Sequence, residues 1–314
     1  MKTFSKQDLV SLLPYNELIS ALKEGFRIGA EAPLRHSHQI KTEGESENYL
    51  LIMPCWQTGG RLGIKTVMVC PDNHKHGLGA VQASYMLMDA TTGVPLAQMD
   101  GDELTVRRTS SASALASSIL SNPEASRLLM MGAGNLAPHM IRAHATARDL
   151  KEIYIWSRDG KQAATLAQKL DLELTAKVIS VDDPKEYAFH ADIISSATLA
   201  TEPIIKGEWL NPDKQQHIDI VGGYTYEMRE ADNDVLIGAA IYVDTFEGAL
   251  AEAGDILRPI EEGAIKKEDV IGDFFTMVKD DFNNPPHKRT VFKSVGTALE
   301  DLVGANLAYL KSSS

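Results

Sequence analysis

Two groups of residues in this chain could do chemistry. The first is the run from Arg127 to Ala137, RLLMMGAGNLA, where apolar Leu128 to Met131 lead into Gly132, Gly134 and Ala137 at the spacing G-x-G-x-x-A. That spacing belongs to the strand-to-helix turn of a βαβ unit that holds a dinucleotide. Gly132 lets the chain leave the strand sharply, Gly134 leaves backbone room for a pyrophosphate, and Ala137 lets the new helix pack close to the strand. The pyrophosphate then meets free N–H groups at the positive end of the helix dipole. Pro138 suits the first helical turn, where its missing N–H costs nothing. Asn135 and Leu136 lie within the same turn and join Gly132 and Gly134 as cofactor-binding candidates. A glycine-rich turn after an apolar run can also be only a turn, so the motif needs its context.

The second group is cationic. Along the strand Gly63 to Val69, alternation puts Lys65 on the face of Val67 and Val69, a semi-apolar surface. In the helix that opens near Asp102, the residues Leu104, Arg108, Ser111, Leu115 and Ile119 share one stripe. Arg108 therefore faces a core or a cleft, and Arg107 is turned aside. A desolvated guanidinium requires a carboxylate, either an internal Asp or Glu or that of a substrate. Lys65 has a plainer explanation too, as an ordinary edge-strand lysine. Thr109, next to Arg108, is a further cofactor-binding candidate.

The context favours a cofactor. From Lys151 the chain reads KEIYIWSRD, a β-rich run where the second strand of the unit should end. An Asp or Glu at its tip would bond the ribose hydroxyl of NAD, whereas this chain has Ser157 and Arg158. A hydroxyl and a guanidinium suit a ribose phosphate, so NADPH is preferred over NADH. The alternative leaves Arg158 solvated and gives the ribose to Asp159. The segments Ser195–Thr198 and Val221–Gly223 follow strand ends, which brings Thr198 and Val221 to the cofactor-facing rim.

The elements that must position these groups divide the chain in two, and its 314 residues suffice for two sizeable cores. Met1 to about Ala30 reads as two helices, with Ser5 and Asp8 forming a capping box and Pro14 separating Lys6–Leu13 from Tyr15–Ile28. Short β-rich runs follow over 35–41, 49–55, 61–70, 80–88 and 94–99, with a hairpin turn at Met88–Val94, and imply a separate antiparallel sheet. Strands near 153–156, 178, 191–195, 217–221 and 241–243, with helices around 139–147 and 161–170, should form a parallel sheet. After Pro285 and Pro286 a last helix, Val295 to Leu310, carries an apolar stripe that returns to the first domain. The expected fold is α/β: a Rossmann-type doubly wound parallel sheet over 116–289, plus an α+β substrate-binding and dimerisation domain over 1–115 that the C-terminal segment 290–314 joins.

Composition narrows the partners. A net charge of −12 argues against nucleic acid and anionic membranes, since both require a basic surface. The longest apolar run, Val235 to Val243, is about half of what a membrane span requires. Cys55 and Cys70 form no framework, and a reduced, cytoplasmic setting follows. The pairs His36-x-His38 and His74-x-His76 each put two imidazoles on one strand face, but neither has the further ligands a metal site uses, and none is expected. No G-x-S-x-G is present to support a hydrolase triad.

Taken together, PLRHSH, GIKTVMV, MDATTGVPLAQMDGDELTVRRTSSASALAS, MGAGNLA, SSATLATEPI and VFKSVG resemble the ornithine cyclodeaminase/μ-crystallin family over nearly the full length. The resemblance implies a homodimer built through the first domain, and it implies that Arg35, Lys65 and Arg108 hold a substrate carboxylate. The cyclodeaminases carry an acidic catalytic residue just after the VGG turn, where this chain has Tyr224. That departure, with MREAD following, looks more like the members that reduce Δ1-pyrroline-2-carboxylate to L-proline with NADPH, Lys65 assisting protonation. Ornithine cyclodeaminase and alanine dehydrogenase are the enzymatic alternatives, and a μ-crystallin-like binding protein for NADPH and a small carboxylated ligand is the alternative of another class.

Overall fold

A computed structural model describes residues 1–41, 46–284 and 287–313. The chain divides into two compact units, Met1–Thr109 with Thr297–Ser314, and Ser110–Gly296.

The first unit opens with a strand that the sequence pattern does not reveal, β1 (Lys2–Phe4), followed by α1 (Lys6–Leu12) and α2 (Tyr15–Ile28). Ser5 caps α1 in the expected capping box, its hydroxyl accepting from Asp8 N while the Asp8 carboxylate accepts from Ser5 N. Then come β2 (His36–Ile40), β3 (Asn48–Trp56), β4 (Arg61–Val69), β5 (Val81–Asp89) and β6 (Pro95–Asp100). They form one sheet in the order β1-β6-β5-β4-β3-β2, antiparallel except where β1 pairs with β6. The β5–β6 turn is closed by Asp89, whose carboxylate accepts from Thr91 N, Thr92 N and Thr92 Oγ1, with Gly93 at a φ of 72°.

Helix α3 (Gly101–Leu120) crosses the division between the units, and α11 (Ala298–Lys311) closes the first. The C-terminal segment departs from expectation. Its first residues belong to a strand rather than a helix, and Val295 precedes α11 rather than lying on its stripe. The helix that does form packs across β3, β4 and β5 and against α2, with Leu299, Leu302, Ala305 and Ala308 buried. On the sheet face beneath it, Gly63 stands beside Tyr85. A side chain there would put its Cβ 1.7 Å from the Tyr85 hydroxyl, so glycine is the residue that lets the tyrosine lie flat.

The second unit contains β7 (Arg127–Met131), α4 (Ala137–Ala147), β8 (Glu152–Trp156), α5 (Gly160–Asp171), β9 (Lys177–Ser180), α6 (Pro184–His190), β10 (Ile193–Ser196) and β11 (Gln216–Ile220). It continues with α7 (Asn233–Leu236), β12 (Ala240–Val243), α8 (Phe246–Glu252), α9 (Gly254–Glu261), β13 (Val270–Gly272), α10 (Phe274–Met277) and β14 (Arg289–Lys293). The sheet is parallel throughout in the order β13-β12-β14-β11-β10-β7-β8-β9. Two of its strands, β13 and β14, were not expected from the sequence, because β13 is too short for its pattern to show. The pair Pro285–Pro286 lies outside the described residues.

Both faces of this sheet are covered, as a run of continuous apolar strands requires. Leu128 and Met130 of β7 bury against α4 and α5, while Leu129 and Met131 face the opposite apolar layer. Strand order reverses between β7 and β10, and it is there that an open α/β sheet offers a ligand crevice at its carboxyl edge.

Substituting Gly63→Ala should destabilise the chain by about 2 kcal/mol through overpacking, read as a fall in the urea midpoint. Adding Tyr85→Phe should recover part of that loss, since the hydroxyl is the nearest clashing atom.

Candidate functional site

In the first unit the two singled-out cations meet. Lys65 is on an interior strand, between β3 and β5, so the edge-strand explanation is overturned. Its side chain is 2% exposed and reaches Asp301 of α11, with Nζ at 2.9 Å from Oδ1 and 2.8 Å from Oδ2. Thr105 Oγ1 stands 3.4 Å away. Arg108 comes to the same carboxylate from α3, with Nε 3.0 Å from Asp301 Oδ1 and a 2.6 Å bond from a terminal nitrogen to Glu300 Oε2. A lysine and an arginine on two elements thus share one aspartate on a third.

The desolvation of both cations is therefore compensated within the chain. Glu300 and Asp301 are fully buried and compensate Lys65 and Arg108 without any ligand, so burial of these cations does not by itself require a substrate. Arg107, expected to turn aside, is also buried: it bonds Glu103 at 2.6 Å and donates to the Leu13 carbonyl at 2.9 Å.

Burial, the Arg108 charge and the more distant Arg35 charge lower the Lys65 ammonium to about 8, against the opposing pull of Asp301. Arg35 itself lies just before β2 and is half-buried. Burial and the Asp301 charge push the Cys55 thiol up to about 12 and raise the Tyr85 phenol well above its ordinary value. Neither is a nucleophile, which leaves Lys65 as the group able to exchange a proton near neutral pH.

In the second unit the glycine turn has the shape a dinucleotide needs. Gly132 has a φ of 114°, nothing lies within 4 Å of where a Gly134 Cβ would be, and no side chain caps α4 at Leu136. Asn135 is exposed, Leu136 half-buried, and Pro138 occupies the first turn of α4. At the end of β8, Arg158 is exposed and Ser157 Oγ donates to the Asp159 carbonyl at 2.6 Å. Asp159 caps α5, accepting from Lys161 N at 3.0 Å. Thr198 and Val221 stand in neighbouring turns, with Val221 N bonded to the Ser196 carbonyl at 2.9 Å. Thr109 is buried at the end of the first unit's share of α3.

Other candidates dissolve. His36 and His38 are exposed on β2, while His74 and His76 lie in a 3-10 turn over Pro71–His76 and not on a strand. Among the described residues no group of three or more His, Cys, Asp or Glu could hold a metal ion. Ser195, Asp219 and His144 are buried together, but the aspartate separates the serine from the histidine, and both bond to its Oδ2. That order provides no nucleophile–base contact. No helix among the described residues is long and apolar enough to cross a membrane.

Comparison with known proteins gives this geometry its setting. Residues 3–314 match the model of the ornithine cyclodeaminase/mu-crystallin family, and the chain belongs to that family. It is 43% identical over 317 residues to an uncharacterised protein of Schizosaccharomyces pombe, covering 97% of this chain and 96% of that one. It is 35% identical to the Delta(1)-pyrroline-2-carboxylate reductase of Colwellia psychrerythraea, covering 98% of both chains. The structure of the Thermococcus litoralis Delta(1)-pyrroline-2-carboxylate reductase in complex with NADH and L-proline superposes with a TM-score of 0.90 at 32% identity, covering 99% of this chain and 97% of that one.

Sequence reasoning missed Glu300 and Asp301. Acids in the first turn of a helix are ordinarily explained by the helix dipole, which hid them. Helical spacing turns them away from the stripe of Leu299 and Leu302, so no periodic signal marks them; this end of α11 is buried on more than one face. It also missed Glu230, Asp255 and Lys293, a buried set at the carboxyl edge of the parallel sheet.

Replacing Asp301 by Ala removes the carboxylate that Lys65 and Arg108 share. The expected loss is about 3–5 kcal/mol, measured by urea denaturation, whereas an ornamental surface acid would cost almost nothing.

Proposed function

We propose that this chain reduces a cyclic imine that carries a carboxylate, with Δ1-pyrroline-2-carboxylate giving L-proline, and that its preferred cofactor is NADPH. The observation that carries the reading is the Lys65 ammonium, fully buried, shared with Arg108 at Asp301 and lowered to about 8. The likeness to named pyrroline-2-carboxylate reductases over nearly the whole length supports the substrate class.

Arg35, Lys65 and Arg108 bind the substrate carboxylate, which joins an ionic network already assembled rather than neutralising a bare charge. When bound, the reduced nicotinamide supplies a hydride to the imine carbon. Lys65 gives the imine nitrogen its proton and takes one back from solvent, so the ring nitrogen ends as an amine. Asp301 holds Nζ in place through that exchange.

Gly132, Gly134, Asn135 and Leu136 would hold the dinucleotide, with Thr198 and Val221 in the neighbouring turns, and Thr109 is proposed as a further contact. Ser157 and Arg158 take the ribose phosphate. Engagement of Asp159 as the α5 cap favours Arg158 over Asp159 as the ribose-reading group. The Thermococcus enzyme was seen with NADH, and the NADPH preference proposed for this chain rests on Ser157 and Arg158. We further place the protein in the cytoplasm as a homodimer, with the first unit providing both substrate grip and dimer contact.

Purified protein given the imine acid should oxidise NADPH faster than NADH, and should leave ornithine untouched; turnover of ornithine without the imine would reverse the reading. Lys65→Met should lower kcat/KM by about 100-fold or more, the scale of general acid catalysis, while nucleotide affinity stays unchanged. Because Lys65 donates only when protonated, kcat/KM should hold below pH 8 and fall above it. A rate that rises through that range would contradict the assignment.

A further inference from the structure

We infer that Glu230 is a positioning residue for the dinucleotide: its carboxylate fastens the turn after β10 to the turn after β11, and so fixes where Thr198 and Val221 stand. This rests on the dinucleotide part of the proposed function. Glu230 is fully buried and lies in the segment MREAD, where the sequence alone assigns it no role. Its Oε1 accepts from Ser196 Oγ, from Thr198 N at 2.7 Å and from Thr198 Oγ1 at 2.7 Å. Its Oε2 accepts from Gly222 N at 2.6 Å.

The turns it joins stand at the switch point. A Cβ on Gly222 would lie 2.0 Å from the Thr198 carbonyl oxygen, and one on Gly132 would lie 2.9 Å from Thr198 Cγ2. Thr198 therefore touches both the phosphate turn after β7 and the turn after β11. A small shift of Thr198 would be felt at Gly132.

Glu230 is itself held from behind. Its backbone N–H donates to Asp255 Oδ1 at 2.7 Å, its carbonyl accepts from Ile204 N and Ile205 N, and Asp255 Oδ2 takes the Lys293 ammonium at 3.0 Å. The acceptor is thus anchored to α9 and β14 before it reaches the turns. A carboxylate suits the task because it only accepts and has lone pairs for four donors. Glutamine has the same shape, yet its NH2 would face a donor.

The test is fluorescence titration of the substrate-free protein with NADPH and with NADH, alongside thermal melting. Glu230→Gln should weaken nucleotide binding at least about tenfold, of the order of one lost charge-assisted bond. Ser196→Ala, which removes one donor and keeps the carboxylate, should weaken it about threefold, a fraction of that bond. A role confined to stability would lower the melting temperature while leaving Kd of the folded protein unchanged. Folded E230Q with wild-type Kd overturns the inference; if E230Q does not fold, an unchanged Kd in S196A overturns it and a weakened one supports it. Wild-type protein that binds neither nucleotide overturns the proposed function and this inference with it, an outcome distinct from a variant that binds normally.

Discussion

The first unit depends on one buried ionic contact, the carboxylate of Asp301 shared between Lys65 and Arg108. Three elements meet there: a central strand, the helix α3 and the C-terminal helix α11. Charges in an apolar setting are tolerated only when paired with good geometry, so this contact fixes the register of α11 on the sheet. Gly63 and Tyr85 shape the adjoining floor, and Glu300 completes the charge balance. The Asp301 carboxylate favours the charged Lys65 ammonium, while burial and the Arg108 charge lower it to about 8.

The second unit solves a different problem with ordinary means. A parallel sheet buried on both faces leaves its carboxyl edge as the place for irregular backbone, and the strand order reverses there between β7 and β10, the position where open α/β sheets bind ligands. Glycines allow the turns to approach within van der Waals distance, and buried carboxylates tie down the donors those turns leave. Rigidity at the edge is thus provided by polar groups rather than by the apolar layers beneath.

Much of this was legible in the sequence, for identifiable reasons. Parallel strands such as β7 and β12 announced themselves because residues buried on both faces read as apolar runs, whereas β13 and β14 did not, and most first-unit strands showed as short β-rich runs between turn residues. Ser5, Asp8 and Pro14 marked α1 and α2 through local chemistry alone. Lys65 and Arg108 could be singled out because periodicity assigns a face. What periodicity cannot supply is the partner: Asp301 lies 236 residues from Lys65, and only the fold brings them together. Arg107 was misplaced because α3 is buried nearly all round rather than on one stripe, and β1 and β13, each 3 residues long, are too short to carry a pattern.

The proposed chemistry is reduction at a carbon next to a carboxylate that Lys65 and Arg108 would grip. The most direct measurement supplies Δ1-pyrroline-2-carboxylate with NADPH deuterated at the transferable position of the nicotinamide and examines the product by mass spectrometry and NMR. The account predicts L-proline carrying one deuterium at its α carbon, with an equivalent amount of NADP formed. Unlabelled proline, or imine and cofactor both returned unchanged, would contradict it.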